Sequence, residues 1–313
     1  MLKLAIVSPC FNEEAVLERS AGRLTALLDE LTGKGKVSPE SFIMFVNDGS
    51  SDRTWQIISD LHGRDGRIKG ICLAHNSGHQ NAIMAGMMAV RGICDGVVTI
   101  DADLQDEMAC IEQMVDKNAE GADVVYGVKV ERSADSAFKR KTAEMFYHLM
   151  EKMGVESVYN HADFRFVSAR VLDALAEFPE TNLYLRALIK RIGFPYATVE
   201  DHLGVREAGD SKYTLSKMLG LAVNGITSFT EKPLYYVIYA GLMFMLISIL
   251  VLLYVVISLI AGHVVAGWTS LMLSVWFIGG ALMLAIGVTG IYIGKIFHEV
   301  KHRPRYIIQE RLD

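Results

Sequence analysis

The chain has 313 residues, 51% of them hydrophobic, and a formal net charge of −5 at pH 7. The length allows one or two domains, and the acidic balance gives no indication of nucleic-acid binding. The four cysteines stand apart, without a Cys-x-x-Cys pair, so we expect reduced core residues and neither disulfides nor a cysteine metal site. They are Cys10, Cys72, Cys94 and Cys110.

Apolar runs and helix-like segments alternate through the first 126 residues. The runs are bounded by turn residues and predict buried strands at residues 4–7, 42–46, 68–73, 97–100 and 124–126. The first run is too short for the core of a signal peptide. The segments between the runs predict helices at residues 13–31, 54–61, 80–90 and 108–119. This alternation is typical of an α/β domain with a mostly parallel sheet and helices on both faces.

Polar residues directly follow three of the predicted strands. These clusters lie at residues 9–13 after the first strand, 47–50 after the second and 101–103 after the fourth. One such cluster is also compatible with a helix cap. Since parallel sheets bind ligands at the carboxyl ends of their strands, three clusters at this edge predict a binding site.

Asp101 and Asp103 flank a small residue at the end of a predicted strand. In extended backbone, residues i and i+2 point the same way, so the two carboxylates should converge. Hard divalent cations prefer oxygen ligands and bridge to substrate phosphates, and Gln105 and Asp106 add further oxygens nearby. The chain has neither a P-loop nor a Gly-x-Gly-x-x-Gly motif after the first strand.

Two long bands without charged residues follow, at residues 234–260 and 271–294. Each exceeds the length of about 20 apolar residues that spans a bilayer. The connection between them, residues 261–270, carries no Lys or Arg, whereas both outer flanks are basic. The positive-inside rule therefore predicts a transmembrane hairpin with both ends in the cytoplasm.

The composition divides the chain into four predicted parts. Residues 1–210 form a catalytic domain, residues 211–232 an amphipathic helix, residues 233–296 two transmembrane helices and residues 297–313 a basic cytoplasmic tail. Apolar residues of the amphipathic segment recur at helical spacing from Leu215 to Phe229. Its apolar face is suited to the membrane surface and equally to packing on the catalytic domain.

Five motifs resemble glycosyltransferase family 2, whose members have a GT-A (Rossmann-like) fold. They are Val-Ser-Pro-Cys-Phe-Asn-Glu-Glu at 7–14, Val-Asn-Asp-Gly-Ser-Ser-Asp-Arg-Thr at 46–54, Asp-Ala-Asp-Leu-Gln-Asp at 101–106, Ala-Asp-Phe-Arg at 162–165 and Arg-Glu-Ala-Gly-Asp-Ser-Lys-Tyr at 206–213. Together with the hairpin, they are similar to polyprenyl-phosphate hexosyltransferases, the group of bactoprenol glucosyltransferases and dolichol-phosphate mannose synthases. The resemblance covers nearly the whole chain.

The resemblance implies a role for each matching position. Pro9, Phe11, Glu13 and Asp48 would hold the nucleoside of the donor. Asp101, Asp103 and Gln105 would hold Mg²⁺ or Mn²⁺, with Asp101 also on the donor side. Asp163 would be the base or would orient the acceptor. Arg206, Ser211 and Lys212 would close over the diphosphate, and Arg132 and Arg140 would take the acceptor phosphate.

The implied function is metal-dependent, inverting transfer of a hexose to polyprenyl (undecaprenyl) phosphate at the cytoplasmic face of the plasma membrane. UDP-glucose is the first choice of donor, followed by other UDP-sugars and GDP-mannose. A processive polysaccharide synthase and a non-catalytic membrane scaffold are the alternatives. The two predicted transmembrane helices are also compatible with association into a homo-oligomer. The synthase would add a Gln-x-x-Arg-Trp motif, which this sequence lacks.

Structural interpretations stand beside these roles. The basic residues Arg132, Lys139, Arg140 and Lys141 are also compatible with a solvated helix face. Asp163 would alternatively form a surface pair with Arg165. Four histidines lack metal-ligand spacing, and we expect them to be structural or exposed: His75, His79, His161 and His202.

Overall fold

The computed structural model of the chain describes residues 1–130, 161–180, 183–202, 227, 230–261 and 267–313. Within these residues the chain forms two compact units, one containing a mixed sheet of eight strands and the other containing two long helices. The described elements are β1 (Leu4–Cys10), α1 (Leu17–Gly33), β2 (Phe42–Asn47), α2 (Thr54–Arg64), β3 (Ile68–Leu73), α3 (His79–Val90), β4 (Gly96–Thr99), α4 (Ala109–Ala119), β5 (Val124–Lys129), β6 (His161–Ser168), α5 (Ala169–Ala176), α6 (Leu185–Ile192), β7 (Tyr196–Asp201), α7 (Lys232–Ile260), α8 (Trp268–Val300) and β8 (Ile308–Leu312).

The strand order is β7-β5-β6-β4-β1-β2-β3-β8. β1 lies between β2 and β4 and runs parallel to both, and β2 runs parallel to β3. β5 and β7 are also parallel to each other. β6 is antiparallel to its two neighbours, β4 and β5. The carboxyl ends of β1, β2 and β4 therefore meet at one edge, to which β6 brings its amino-terminal end.

The apolar core lies in two layers, one on each face of the sheet. Alternate residues of β1 divide between them, since Leu4 and Ile6 belong to one layer and Ala5 and Val7 to the other. Apolar residues of α1, α2 and α4 complete the first layer. Those of α3, α5 and α6 complete the second. The predicted α/β architecture with helices on both faces is confirmed.

The sheet contains three strands that were not predicted from the sequence, namely β6, β7 and β8. β6 carries Asp163 and Arg165 in its interior, so its sequence shows no continuous apolar run. β7 is an edge strand with mostly exposed or half-exposed residues. Both strands are recognisable only through their partners, because their side chains do not show the pattern of a strand buried on both faces.

β8 lies in the segment predicted to be a basic tail. It pairs antiparallel with β3 and closes that end of the sheet. Trp55 Nε1 donates a hydrogen bond to Glu310 Oε2 at 2.9 Å, and Arg305 donates to the carbonyl oxygen of Phe178. The residues after α8 are thus part of the unit that contains the sheet.

The second unit contains two helices that are long and apolar enough to cross a membrane. The candidate spans are Lys232–Val251 and Phe277–Val300, with mean hydropathies of 2.2 and 1.9 and no buried residue. The rings of Phe244 and Phe277 pack edge to face, with centroids 5.2 Å apart. Apolar surface of this extent on both helices is compatible with a lipid environment. The predicted amphipathic helix lies almost entirely outside the described residues.

Close packing of α3 on the sheet gives a stability prediction. A Cβ atom on Gly86 would lie 2.4 Å from Val7 Cγ1 and 2.7 Å from Val46 Cγ2. Gly86→Ala should therefore lower the free energy of unfolding by about 1–3 kcal/mol through overpacking. Gly22→Ala is the matched control, because a Cβ on this exposed helical residue meets nothing within 4 Å. It should raise stability by about 0.5–1 kcal/mol. Urea unfolding in detergent measures both, and equal effects would contradict the packing argument.

Candidate active site

A pocket opens at the carboxyl ends of β1, β2 and β4. Because β1 is the central strand of the three, the loops that follow them converge on one place. Every predicted donor and metal residue up to Asp103 lines this pocket. The lining residues are Pro9, Cys10, Phe11, Glu13, Asp48, Asn76, His79, Ala82, Asp101, Ala102 and Asp103.

Asp48 joins the pocket wall to the start of α3. Its buried carboxylate accepts hydrogen bonds from the backbone N–H of Ser77 at 2.7 Å and of Gly78 at 3.0 Å. Gly49 permits this approach, since it has a φ of 64° and an added Cβ would lie 2.6 Å from the backbone nitrogen of Asn76. The loop before α3 is thereby held against the end of β2.

Carboxylates accumulate in the part of the pocket that Glu13, Asp101 and Asp103 line. Partial burial raises the pKa of Glu13, and the negative charges of Asp103 and Asp101 raise it further. Removal from water also raises the pKa of Asp101, with His79 opposing the shift and Asp163 and Asp103 adding to it. The part of each shift that comes from neighbouring carboxylates indicates negative charge here, which would stabilise a cation.

Asp101 and Asp103 suit a divalent cation that also binds phosphate. Among the described residues, no three His, Cys, Asp or Glu side chains are grouped so as to hold a metal ion by themselves. Mg²⁺ typically takes one or two carboxylates and completes its shell with substrate phosphates and water, which two aspartates satisfy. Gln105 does not line the pocket; its side-chain amide nitrogen donates to Asp103 Oδ2. It therefore orients that carboxylate in this structure.

Asp163 lies in β6, where three basic side chains contact its carboxylate. Arg165 Nη2 is 2.5 Å from Oδ1, and Arg186 Nη2 and His79 Nε2 are 3.2 Å and 3.4 Å from Oδ2. Burial alone would raise the pKa of Asp163, but these partners hold it well below its usual value. The pair with Arg165 exists but is not a surface contact, since the Arg165 side chain is completely buried.

His79 is exposed, as expected, and it also lines the pocket, which the sequence analysis did not predict. Its Nε2 lies 3.6 Å from Asp101 Oδ1 as well as 3.4 Å from Asp163 Oδ2. Burial lowers the pKa of His79, but the hydrogen bond to Asp163 and the charge of Asp101 outweigh it and raise the pKa overall. The polar residues 75–79 after β3 form a fourth cluster at this edge, which was the available sequence signal.

A cluster of three charged residues, Asp106, Lys129 and Asp201, supports the turn that carries Asp101 and Asp103. Asp201 Oδ1 accepts a hydrogen bond from the N–H of Glu107 at 2.8 Å, and Lys129 Nζ lies 3.5 Å from Asp106 Oδ1. Burial raises the pKa of Asp106 to about 7; Lys129 lowers it and Asp201 raises it further. The cluster connects the turn after β4 to the ends of β5 and β7.

The remaining predicted residues lie outside the described part of the chain. They are Arg132 and Arg140 for the acceptor phosphate, and Arg206, Ser211 and Lys212 for the donor diphosphate. The sequence analysis did not identify two residues of this region. Asn76 lines the pocket, and Arg186 contacts Asp163. Arg186 lies in α6, far along the chain from every recognised motif, and no local pattern distinguishes it.

Comparison with known proteins agrees with a sugar-transferring site. Residues 5–177 match the family model described as Glycosyl transferase family 2. The bactoprenol glucosyl transferase of Shigella phage SfV is 37% identical over 311 residues, 98% of this chain and 98% of the relative. The uncharacterized glycosyltransferase YkoT of Bacillus subtilis is 44% identical over 305 residues, 97% of this chain and 90% of the relative.

Among solved structures, glucosyl-3-phosphoglycerate synthase from Mycobacterium tuberculosis, in complex with Mn²⁺, UDP and phosphoglyceric acid, is similar with a TM-score of 0.46 and 17% identity. The alignment covers 72% of this chain and 76% of that one. The family match and the relatives define this protein as a glycosyltransferase. The chain belongs to glycosyl transferase family 2.

The partners of Asp163 give a prediction for stability and pH. Asp163→Asn should lower the free energy of unfolding by about 3–5 kcal/mol at neutral pH, because it leaves Arg165 buried without its counter-charge. A carboxyl whose pKa is lowered on folding stabilises the protein above its unfolded pKa of about 3.9. That contribution is lost as the pH falls through the lower, folded pKa, so the difference between wild type and variant should shrink below about pH 4.

Asp173→Asn is the control for this experiment. Asp173 pairs with Arg91 at 2.7 Å, but both side chains are exposed, by 62% and 42%. Removing that pair should cost at most about 1 kcal/mol at any pH. Unfolding in detergent between pH 3 and 8 measures both variants. A loss for Asp163→Asn as small as that of the control would contradict the description of a buried pair.

Proposed function

We propose that this protein transfers a hexose from a nucleotide-sugar to polyprenyl phosphate, with UDP-glucose as the first choice of donor and undecaprenyl phosphate as acceptor. Its similarity to a bactoprenol glucosyl transferase extends over 98% of the chain. The two candidate spans supply a lipid-facing part, which an enzyme with a lipid acceptor requires. The product would be a sugar attached to a lipid phosphate.

The ionised carboxylate of Asp163 is the observation that favours a phosphate as the acceptor. A general base must take a proton near neutral pH, which requires a pKa near that range. Asp163 is instead held as an anion by Arg165, Arg186 and His79, and a proton on its carboxylate would weaken all three contacts. An acceptor that is already ionised needs no base. A phosphate monoester has this property, whereas an alcohol does not.

The donor would lie along the carboxyl edge of the sheet. Pro9, Phe11, Glu13 and Asp48 would hold the nucleoside. Asp101 and Asp103, with Gln105 orienting the second, would hold Mg²⁺ or Mn²⁺. When bound, that cation would offset the charge of the donor diphosphate. Arg206, Ser211 and Lys212 would contact the same diphosphate from the segment after β7.

The transfer would be one in-line displacement. An oxygen of the lipid phosphate forms a bond to the anomeric carbon as the bond from that carbon to the diphosphate breaks. The nucleoside diphosphate leaves with the bonding electrons, and the anomeric configuration is inverted. Arg132 and Arg140 would place the acceptor phosphate, and charge-assisted bonds from arginine to phosphate suit that role.

Chain connectivity supports a hairpin with both ends on the cytoplasmic side. The chain leaves the sheet at Asp201 and returns to it at Ile308, after α7 and α8. The chain before α7 and the chain after α8 belong to the same folded unit. If the helices span the bilayer, the chain would therefore cross it an even number of times. Basic residues lie before α7 and after α8 and are absent from the connection, which supports a cytoplasmic location for that unit.

The function is tested with membranes containing the full chain, undecaprenyl phosphate and labelled UDP-glucose, UDP-galactose, UDP-N-acetylglucosamine or GDP-mannose. We expect labelled glycolipid from UDP-glucose with Mn²⁺ or Mg²⁺, and none in EDTA until metal is restored. Asp103→Ala should reduce the rate by more than about 100-fold, about 2.7 kcal/mol at 1.36 kcal/mol per decade.

The panel also separates the alternatives. If only another nucleotide-sugar gave labelled glycolipid, the proposed sugar would be wrong and the proposed reaction class would stand. A labelled polymer in place of glycolipid would indicate a processive synthase. Inactivity of the folded wild-type chain with every donor would favour a membrane scaffold, and full activity of Asp103→Ala in EDTA would exclude the metal.

The hairpin is tested by labelling single introduced cysteines with a membrane-impermeant thiol reagent. The four native cysteines are buried and should contribute little background. In intact cells, Gly267→Cys should react, whereas Ser38→Cys and Gln309→Cys should react only after the membrane is opened. Reaction of Gln309→Cys in intact cells would mean that the two helices do not form a hairpin.

A further inference from the structure

His79 is placed where the two halves of the pocket meet. Its Nε2 atom lies 3.6 Å from Asp101, which follows β4, and 3.4 Å from Asp163, which lies in β6. The His79 side chain is 47% exposed, so it forms part of the pocket surface. His79 is one of three basic side chains that contact Asp163, and it also lies near a carboxylate on the donor side.

The backbone of His79 is held from several directions. Asp48 binds the N–H groups of Ser77 and Gly78, the two residues before it. Asn81 Nδ2 donates to the carbonyl oxygen of Ser77 at 2.7 Å. Gln80 Oε1 accepts a hydrogen bond from the N–H of Leu185 at 3.1 Å, which ties the start of α3 to the start of α6. The imidazole therefore extends from a fixed point.

A hydrogen on Nε2 would put one positive dipole within reach of both carboxylates, at 3.4 Å from Asp163 and 3.6 Å from Asp101, and would attract both. Without a donor between them, Asp101 and Asp163 would repel each other and separate. Arg165 and Arg186 would still hold Asp163, but no described contact of theirs reaches Asp101. A displacement reaction depends on the alignment of donor and acceptor, and a shift of about 1 Å costs about 100-fold in rate.

We propose that His79 is a positioning residue, which holds the donor-side carboxylate Asp101 and the acceptor-side carboxylate Asp163 at a fixed spacing. The names of the two sides rest on the proposed function. The contact itself does not, because both distances belong to the protein alone. His79 acts through these two carboxylates and takes no part in bond formation.

The test compares His79→Ala with His79→Gln. His79→Ala should lower kcat by about 10- to 100-fold, while KM for the nucleotide-sugar changes by less than about threefold. His79→Gln should restore most of kcat, since one amide nitrogen carries two hydrogens and can donate to both carboxylates. His75→Ala is the matched control, an exposed histidine of the same loop outside the pocket lining, and should behave as wild type.

Unchanged kcat in His79→Ala would overturn the proposal. The proposal would also be overturned if His79→Gln had the thermal stability of wild type but the low kcat of His79→Ala, because a purely structural role predicts that result. Crystal structures of wild type and both variants provide a readout without a substrate. The separation of the Asp101 and Asp163 carboxylates should increase in His79→Ala and return in His79→Gln. The same separation in all three would overturn the proposal, even if the wild-type chain proved inactive with every sugar donor.

Discussion

Negative charge concentrated at one edge of the sheet is the constraint on which the rest of this site depends. β1 lies between β2 and β4, and the three parallel strands deliver carboxylates to the same place. Such groups repel one another most strongly where water is partly excluded. Burial is the main cause of the raised pKa values of Glu13 and Asp101, and the neighbouring carboxylates raise both further. A stable edge therefore needs positive charge from the protein or from a ligand.

Within the described residues, the protein supplies most of that positive charge on one side. Around Asp163 it comes from Arg165 in β6, Arg186 in α6 and His79 in α3. Burying Arg165 costs several kcal/mol in lost hydration, which its carboxylate partner offsets. Around Asp101 and Asp103 the described structure provides much less compensation. A cation bound beside Asp101 and Asp103 would therefore be stabilised by their charge.

Much of this arrangement is visible in the sequence because it depends on local pattern. Apolar runs between turn residues predict the central parallel strands, and the residues that directly follow them line the pocket. Asp101 and Asp103 are recognisable because they directly follow a buried strand, although the structure places them in a turn and not in the extended backbone that was predicted. The apolar length of α7 and α8 identifies the candidate spans equally well.

The remainder depends on pairing between distant segments, which a local pattern does not encode. β6 places a charged pair inside the sheet, so Asp163 and Arg165 conceal a strand that their neighbours Phe164 and Phe166 help to build. Arg186 reaches the site only because α6 packs on the same face as α3. His79 begins α3, where no motif was recognised, and its place in the site appears only when Asp101 and Asp163 are seen on either side of it.

The position of β8 in the chain has a consequence for how the protein is made. β3 borders β8, and β8 is synthesised only after both long helices. Until then, β3 is the unpaired edge of a growing sheet, and such edges are prone to pair with other chains. Completion of the catalytic unit thus waits for the helices to be translated. A chain that stalls at the membrane would present an open edge to cellular quality control.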